Sequence, residues 1–156
     1  MARTLARATG LPTFHLDREY WLPGWVEPDP ASWSARVDEL IAGERWIIDG
    51  NYSDSLERRL GRADTVVFLD LPRWRCVLAA FMRSLKRRTR PDMAPGCEEH
   101  ISPSFLLYVW RFKRDKRPKV LRLVEQRRNW QLITVRSRRE ARDLAERLSR
   151  SSRSSP

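Results

Sequence analysis

The spacing of apolar residues changes along this chain, and each change marks an element. Ala2 to Thr9 is rich in helix formers, Gly10 stands where a C-terminal cap belongs, and Pro12 follows where a helix cannot continue. Thr13, Phe14, His15 and Leu16 predict a strand ending on Asp17. A Trp- and Pro-rich loop, REYWLPGWVEPDP, comes next. Asp29 and Pro30 predict a cap and first turn, and Trp33, Val37, Leu40 and Ile41 recur at helical spacing as far as Gly43. RWII predicts a second strand ending on Asp49 and Gly50. A brief helix with Leu56 and Leu60 on one face ends at Gly61, and TVVFL predicts a third strand ahead of Asp70.

In the second half, Trp74, Val77, Leu78, Phe81 and Leu85 predict an amphipathic helix whose exposed face and end carry Arg83, Lys86, Arg87, Arg88 and Arg90. TRPDMAPGCEEHIS reads as a loop. Ser102 and Pro103 cap a helix through FLLYVWRFKRD; Pro118 either kinks it or starts another over PKVLRLVEQR. WQLITVRS is the last strand. Ser137 and Glu140 form a capping box for a closing helix with Ala141, Leu144, Ala145 and Leu148 inward. SRSSRSSP, residues 149–156, predicts a disordered tail.

The strands are continuously apolar instead of alternating, as expected when both faces are covered. Strands alternating with helices then predict an α/β layered domain, residues 1–148, around a mainly parallel sheet. No apolar run is long enough to span a bilayer, and the first residues lack the layout of a signal peptide, so the expected location is the cytoplasm. Cys76 and Cys97 have no metal-ligand spacing and are expected to be free thiols.

Charge adds a further division. The net charge is +11, yet residues 1–72 carry −4 and residues 73–139 carry +14. A phosphate or polyanion partner is therefore expected to meet the second half. Carboxylates end three predicted strands: Asp17, Asp49 and Asp70. In parallel α/β sheets ligands bind beyond such ends, where a carboxylate can hold Mg²⁺ or accept a proton. Asp70, before Leu71-Pro72, reads as a cap or turn residue; Asp49, lodged between a buried run and Gly50, reads as functional. Trp21, Trp25 and Trp33 either wall a base or sugar or pack under the loop. His15 reads as structural.

Here a resemblance becomes specific. WIIDGNY resembles the apolar-Asp-Gly segment of adenylate kinase-like P-loop phosphotransferases, whose Asp is the Walker B carboxylate. GLPTFHLDREYW resembles their strand and acceptor segment, TVVFLDLPRWRC the next strand and helix, and TRPDMAPGCEE, within about 88–103, the lid. The ordered set most resembles a bacterial group of small kinase-like proteins, the DNA topology modulation proteins. The resemblance implies a three-layer P-loop kinase fold that transfers phosphate from ATP to a small acceptor, a nucleotide or similar. It implies Asp49 as a catalytic carboxylate holding Mg²⁺ through water, and Asp17, Arg18, Tyr20, Trp21, Gly50 and Asn51 at the acceptor. Arg83 and Arg87 would contact the ATP, and Arg111 and Arg114 would act on the phosphoryl group, with Arg117 as an alternative match. A basic nucleic-acid-binding protein without kinase activity is the competing reading; no helix-turn-helix, zinc or RNA-recognition signature accompanies it.

The family's phosphate loop, G-x-x-x-x-G-K-[ST], has no counterpart, and the first lysine of the chain is Lys86. By the resemblance, Met1–Gly10 corresponds to the helix that this loop opens, so the sheet would lack its first, central strand. Either the start is misassigned at an internal Met or the chain is truncated. As given, it is expected to expose bare strand edges, to fold poorly and to be inactive in phosphoryl transfer.

Overall fold

The computed structural model describes residues 1–84, 92–97, 102–126 and 130–153. It is a mixed α/β structure whose four strands form two separate two-stranded parallel sheets. Where one domain was expected, the chain divides into two compact units. One comprises residues 1–59, 90–97 and 137–156; the other comprises 60–89 and 98–136.

The first unit begins with α1 (Ala2–Thr9), which stops at Gly10 in the left-handed region, φ 72°, with its N–H on the Ala6 carbonyl. Strand β1 (Thr13–His15) pairs with β2 (Ile47–Asp49) in a register that sets Phe14 beside Ile48 and His15 beside Asp49. The first strand is shorter than its sequence suggests. Leu16 opens a short helix, α2 (Leu16–Tyr20), with Asp17 and Glu19 in its first turn, where carboxylates suit the positive end of the helix. Burial decides the switch: Leu16 is fully enclosed with Val37, Trp33 and Leu40, against which Phe14, Tyr20, Ile48 and Tyr52 pack.

Helix α3 (Pro30–Ala42) buries Trp33, Val37, Leu40 and Ile41, the stripe its periodicity predicts, and Asp29 caps it by accepting the Ser32 N–H at 2.8 Å. Helix α4 (Ser53–Arg62) buries Leu56 and Leu60 and runs one residue past Gly61. The closing helix α8 (Arg138–Arg153) packs on α1, buries Leu144 and Ala145, and starts at the expected capping box, with the Ser137 hydroxyl accepting the Glu140 N–H at 3.1 Å. The helix continues to Arg153, beyond Leu148 where a tail was expected. An i,i+4 ion pair supports this extension, with Arg150 and Glu146 3.7 Å apart across one turn.

Of the expected lid, residues 92–97 are described and belong to this unit. Ala94 and Cys97 are buried, the Cys97 thiol donates to the Leu22 carbonyl at 3.2 Å, and the Gly24 N–H meets the Gly96 carbonyl.

The second unit pairs β3 (Thr65–Leu69) with β4 (Gln131–Val135) over their full length. Helix α5 (Arg73–Ser84) packs on α6 (Pro103–Asp115), which Ser102 caps by accepting the Phe105 N–H. Pro118 starts a new helix instead of kinking the old one: it stands in the first turn of α7 (Arg117–Gln126), where its missing N–H costs nothing. The α5 periodicity misleads in one respect. Trp74, Leu78 and Phe81, expected inside, are about half exposed, and the fully enclosed position is Ala80. Leu85 lies outside the described residues.

Asp70 fixes the end of β3. Its N–H reaches the Val135 carbonyl, Arg117 donates two hydrogen bonds to its carboxylate at 3.1 and 2.8 Å, and Lys113 stands 3.0 Å away. The Arg117 hydrogen bonds hold its pKa below the usual carboxylate value, with Lys113 adding to the effect and partial burial opposing it. The folded state therefore binds protons less readily than the unfolded chain. Stability from this cluster is present in full above the unfolded carboxylate value of about 3.9 and is lost as pH falls through the lower folded value. Asp70→Asn is expected to lower stability at pH 7 by about 1–3 kcal/mol and to flatten the acid limb below about pH 4, measured by urea melts across pH.

Candidate functional site

The β1–β2 register brings two polar side chains together at the carboxyl ends of parallel strands. His15 Nδ1 lies 3.0 Å from Asp49 Oδ2. A carboxylate only accepts, so this nitrogen carries the hydrogen. His15, expected to be structural, is thus the partner of Asp49, and it occupies the strand end that the sequence assigns to Asp17. The Asp49 side chain is 50% exposed, and among the described residues its Oδ1 accepts no hydrogen bond.

Asp17, in the first turn of α2, accepts the Tyr52 hydroxyl at 2.9 Å. Burial pushes the Tyr52 phenol up, and the Asp17 charge adds to it, so the phenol stays protonated and keeps donating. Tyr20 meets Trp21 and Trp33 edge-on, both with ring centroids 5.0 Å apart, and lies 4.8 Å from the Tyr52 ring. Trp21 in turn contacts Trp25. Trp33 is core, while Trp21 and Trp25 continue the ring contacts outward from Tyr20. Arg18 stands on α2 beside Asp17, exposed.

One residue of this site escaped the sequence reading. Arg59 is 7% exposed. Its guanidinium donates to the Gly50 carbonyl at 3.2 Å, to Asn51 at 2.9 Å and to Tyr52 at 3.0 Å, while Nε donates to the Ser55 hydroxyl at 3.1 Å. Burial lowers its pKa to about 10, still fully charged at neutral pH. Arg59 therefore clasps the turn after Asp49. Gly50 is required in that turn: φ is 143°, and an added Cβ would stand 2.7 Å from Leu16 Cβ. Only the spacing of Arg59 from the Asp-Gly pair, one strand-turn-helix away, hinted at this role.

In the second unit, Arg111 and Arg114 line a cavity of about 260 Å³ together with Arg73, Leu107 and Trp110. Arg114 also donates to Asp115 at 2.7 Å. Arg117, the alternative to Arg111 and Arg114, is committed to Asp70 instead. Arg83 is exposed in the last turn of α5, and Arg87 lies outside the described residues. The predicted residues thus fall in both units: Asp17, Arg18, Tyr20, Trp21, Asp49, Gly50 and Asn51 in the first, Arg83, Arg111 and Arg114 in the second.

Among the described residues no three His, Cys, Asp or Glu side chains gather as a metal-binding group. What fits Mg²⁺ is the single open oxygen of Asp49, the donor set of an ion that keeps its waters and takes its remaining ligands from a phosphate. Cys76 and Cys97 are both free thiols. No helix among the described residues is long and apolar enough to cross a membrane. No protein-family model, curated protein or solved structure matches this chain.

Arg59→Met is expected to cost about 1–3 kcal/mol by stranding the three carbonyls, read as a lower urea midpoint. Gly50→Ala is expected to lower the midpoint too, through the clash with Leu16. Neither should move the titration of Asp70.

Proposed function

We propose that this chain belongs to an adenylate kinase-like P-loop phosphotransferase of the cytoplasm, which moves a phosphoryl group from ATP to a small acceptor such as a nucleotide. The observation that carries the reading is Asp49: an exposed carboxylate at the end of a parallel strand, followed by a clasped glycine turn and oriented by His15. Bound Mg²⁺ supplies positive charge to the phosphate oxygens of the nucleotide. Asp49 would hold one of its waters, and His15 keeps that carboxylate in place. Asp17, whose second neighbour is the Tyr52 hydroxyl, together with Arg18, Tyr20, Trp21, Gly50 and Asn51 serves the acceptor. Arg83 and Arg87 serve the ATP, while Arg111 and Arg114 stabilise charge on the moving phosphoryl group.

The phosphate loop is not among these residues, so the chain alone is expected to turn over no ATP. Supplied with a strand and a G-K-[ST] loop ahead of α1, the extended protein is expected to phosphorylate at least one member of a nucleoside and nucleotide panel. Asp49→Asn in that extended protein is expected to lower turnover roughly 100-fold or more. No turnover across the panel overturns the reading. Salt-dependent affinity for duplex DNA that survives Asp49→Ala, and that ATP does not compete away, would favour the nucleic-acid-binding reading, which the basic second unit supports.

A further inference from the structure

Leu107, Trp110, Arg111 and Arg114 stand at positions i, i+3, i+4 and i+7 of α6 and so share one helix face. That face is apolar at its start and cationic toward its end. Arg73, the first residue of α5, brings a third guanidinium to the same cavity of about 260 Å³. The neighbouring cations do not join it: Lys113 and Arg117 are spent on Asp70. Among the described residues Arg73 and Arg111 make no hydrogen bond or ion pair, and Asp115 is the one carboxylate paired to a cavity arginine. No acidic side chain stands in the first turn of α5 or of α6. Three guanidinium groups line the cavity against the single Asp115 carboxylate, which pairs with Arg114 and also feels the charge of Arg111, so the cavity keeps a net positive charge that favours an anion. Trp110 is 48% exposed, a large ring surface left without a partner ring.

We propose that this cavity binds a phosphate monoester carrying a planar ring, with the phosphate held by Arg73, Arg111 and Arg114 and the ring stacked on Trp110. Guanidinium forks match phosphate oxygens two at a time, and a ring on the ester supplies the flat face that Trp110 and Leu107 solvate poorly in water. Size limits the class: 260 Å³ is below the roughly 300–1,000 Å³ that encloses a whole drug-sized ligand, so the cavity takes one phosphate and one ring system instead of a complete nucleoside triphosphate. The inference deepens the phosphotransferase reading by assigning roles to Arg73 and Trp110, and it rests on that reading only for the part Arg111 and Arg114 play in transfer.

Binding to the chain as it exists tests this without any turnover, so the two proposals fail separately. AMP, ribose 5-phosphate and adenosine are titrated calorimetrically at fixed salt. AMP is expected to bind more tightly than either of the others. Trp110→Ala is expected to lose roughly 5- to 100-fold for AMP, the scale of one stacked base, while leaving ribose 5-phosphate unchanged. Arg73→Ala is expected to weaken AMP and ribose 5-phosphate alike by about tenfold, and adenosine not at all. Arg139→Ala, an exposed charge on α8, is the control and is expected to change nothing. All these side chains are exposed, so melts should superimpose. Equal affinity for AMP and ribose 5-phosphate, indifference to Trp110→Ala, or an Arg139→Ala loss as large as that of Arg73→Ala would each overturn the proposal, the last by reducing it to net charge.

Discussion

Parallel pairing between segments far apart in sequence is the constraint on which this molecule depends. Neither two-stranded sheet can be closed by a tight turn, because parallel neighbours require a crossover. In the first unit the crossover from β1 to β2 is made by α2, the tryptophan loop and α3, the elements that carry Asp17, Tyr20, Trp21 and Trp33. In the second the crossover from β3 to β4 runs through α5, α6 and α7, which carry Arg73, Arg111, Arg114 and Arg117. Sheet and chemistry are therefore coupled in each unit: the helices that make the ladder possible also present the polar side chains.

The arginines show how little a net charge says about individual roles. Arg59 turns inward and holds three carbonyls, with no carboxylate in its shell. Arg117 is neutralised by a partly buried aspartate, whose desolvation two cations offset. Arg36 ties Glu19 on α2 to Glu39 on its own helix, with both contacts at 2.7 Å. Arg73 and Arg111 are left open on a cavity. The first group builds the fold and the last is available to a ligand, though composition counts them alike.

What the residues reveal in advance is mostly local. Asp29 with Pro30, Ser102 with Pro103, and Ser137 with Glu140 each mark a helix start that the structure reproduces through a side-chain hydrogen bond to the backbone. The stripe Trp33, Val37, Leu40 and Ile41 is legible because its members recur within four residues of one another on one helix face. The features that escaped are long-range. Leu16 reads as strand until Val37 and Trp33 enclose it as the start of a helix. His15 gains a role only because β2 sets Asp49 beside it, and Arg59 only because its helix folds back under the turn it holds. On α5, periodicity identifies an apolar face but not what covers it, so Trp74, Leu78 and Phe81 read as core and stand exposed. Of the candidate site, Asp49 and its glycine are visible from sequence; the histidine and the arginine that orient them are not.

The helix pair α1–α8 has a consequence for the order in which the protein is made. The first unit is assembled from the two ends of the chain and a short middle segment, whereas the second is drawn almost wholly from residues 60–136. On the ribosome every strand and helix of the second unit is synthesised before α8. Helix α1 therefore has no packing partner until α8 has been made. The unit that carries Asp49 is closed by a helix made after the whole of the second unit.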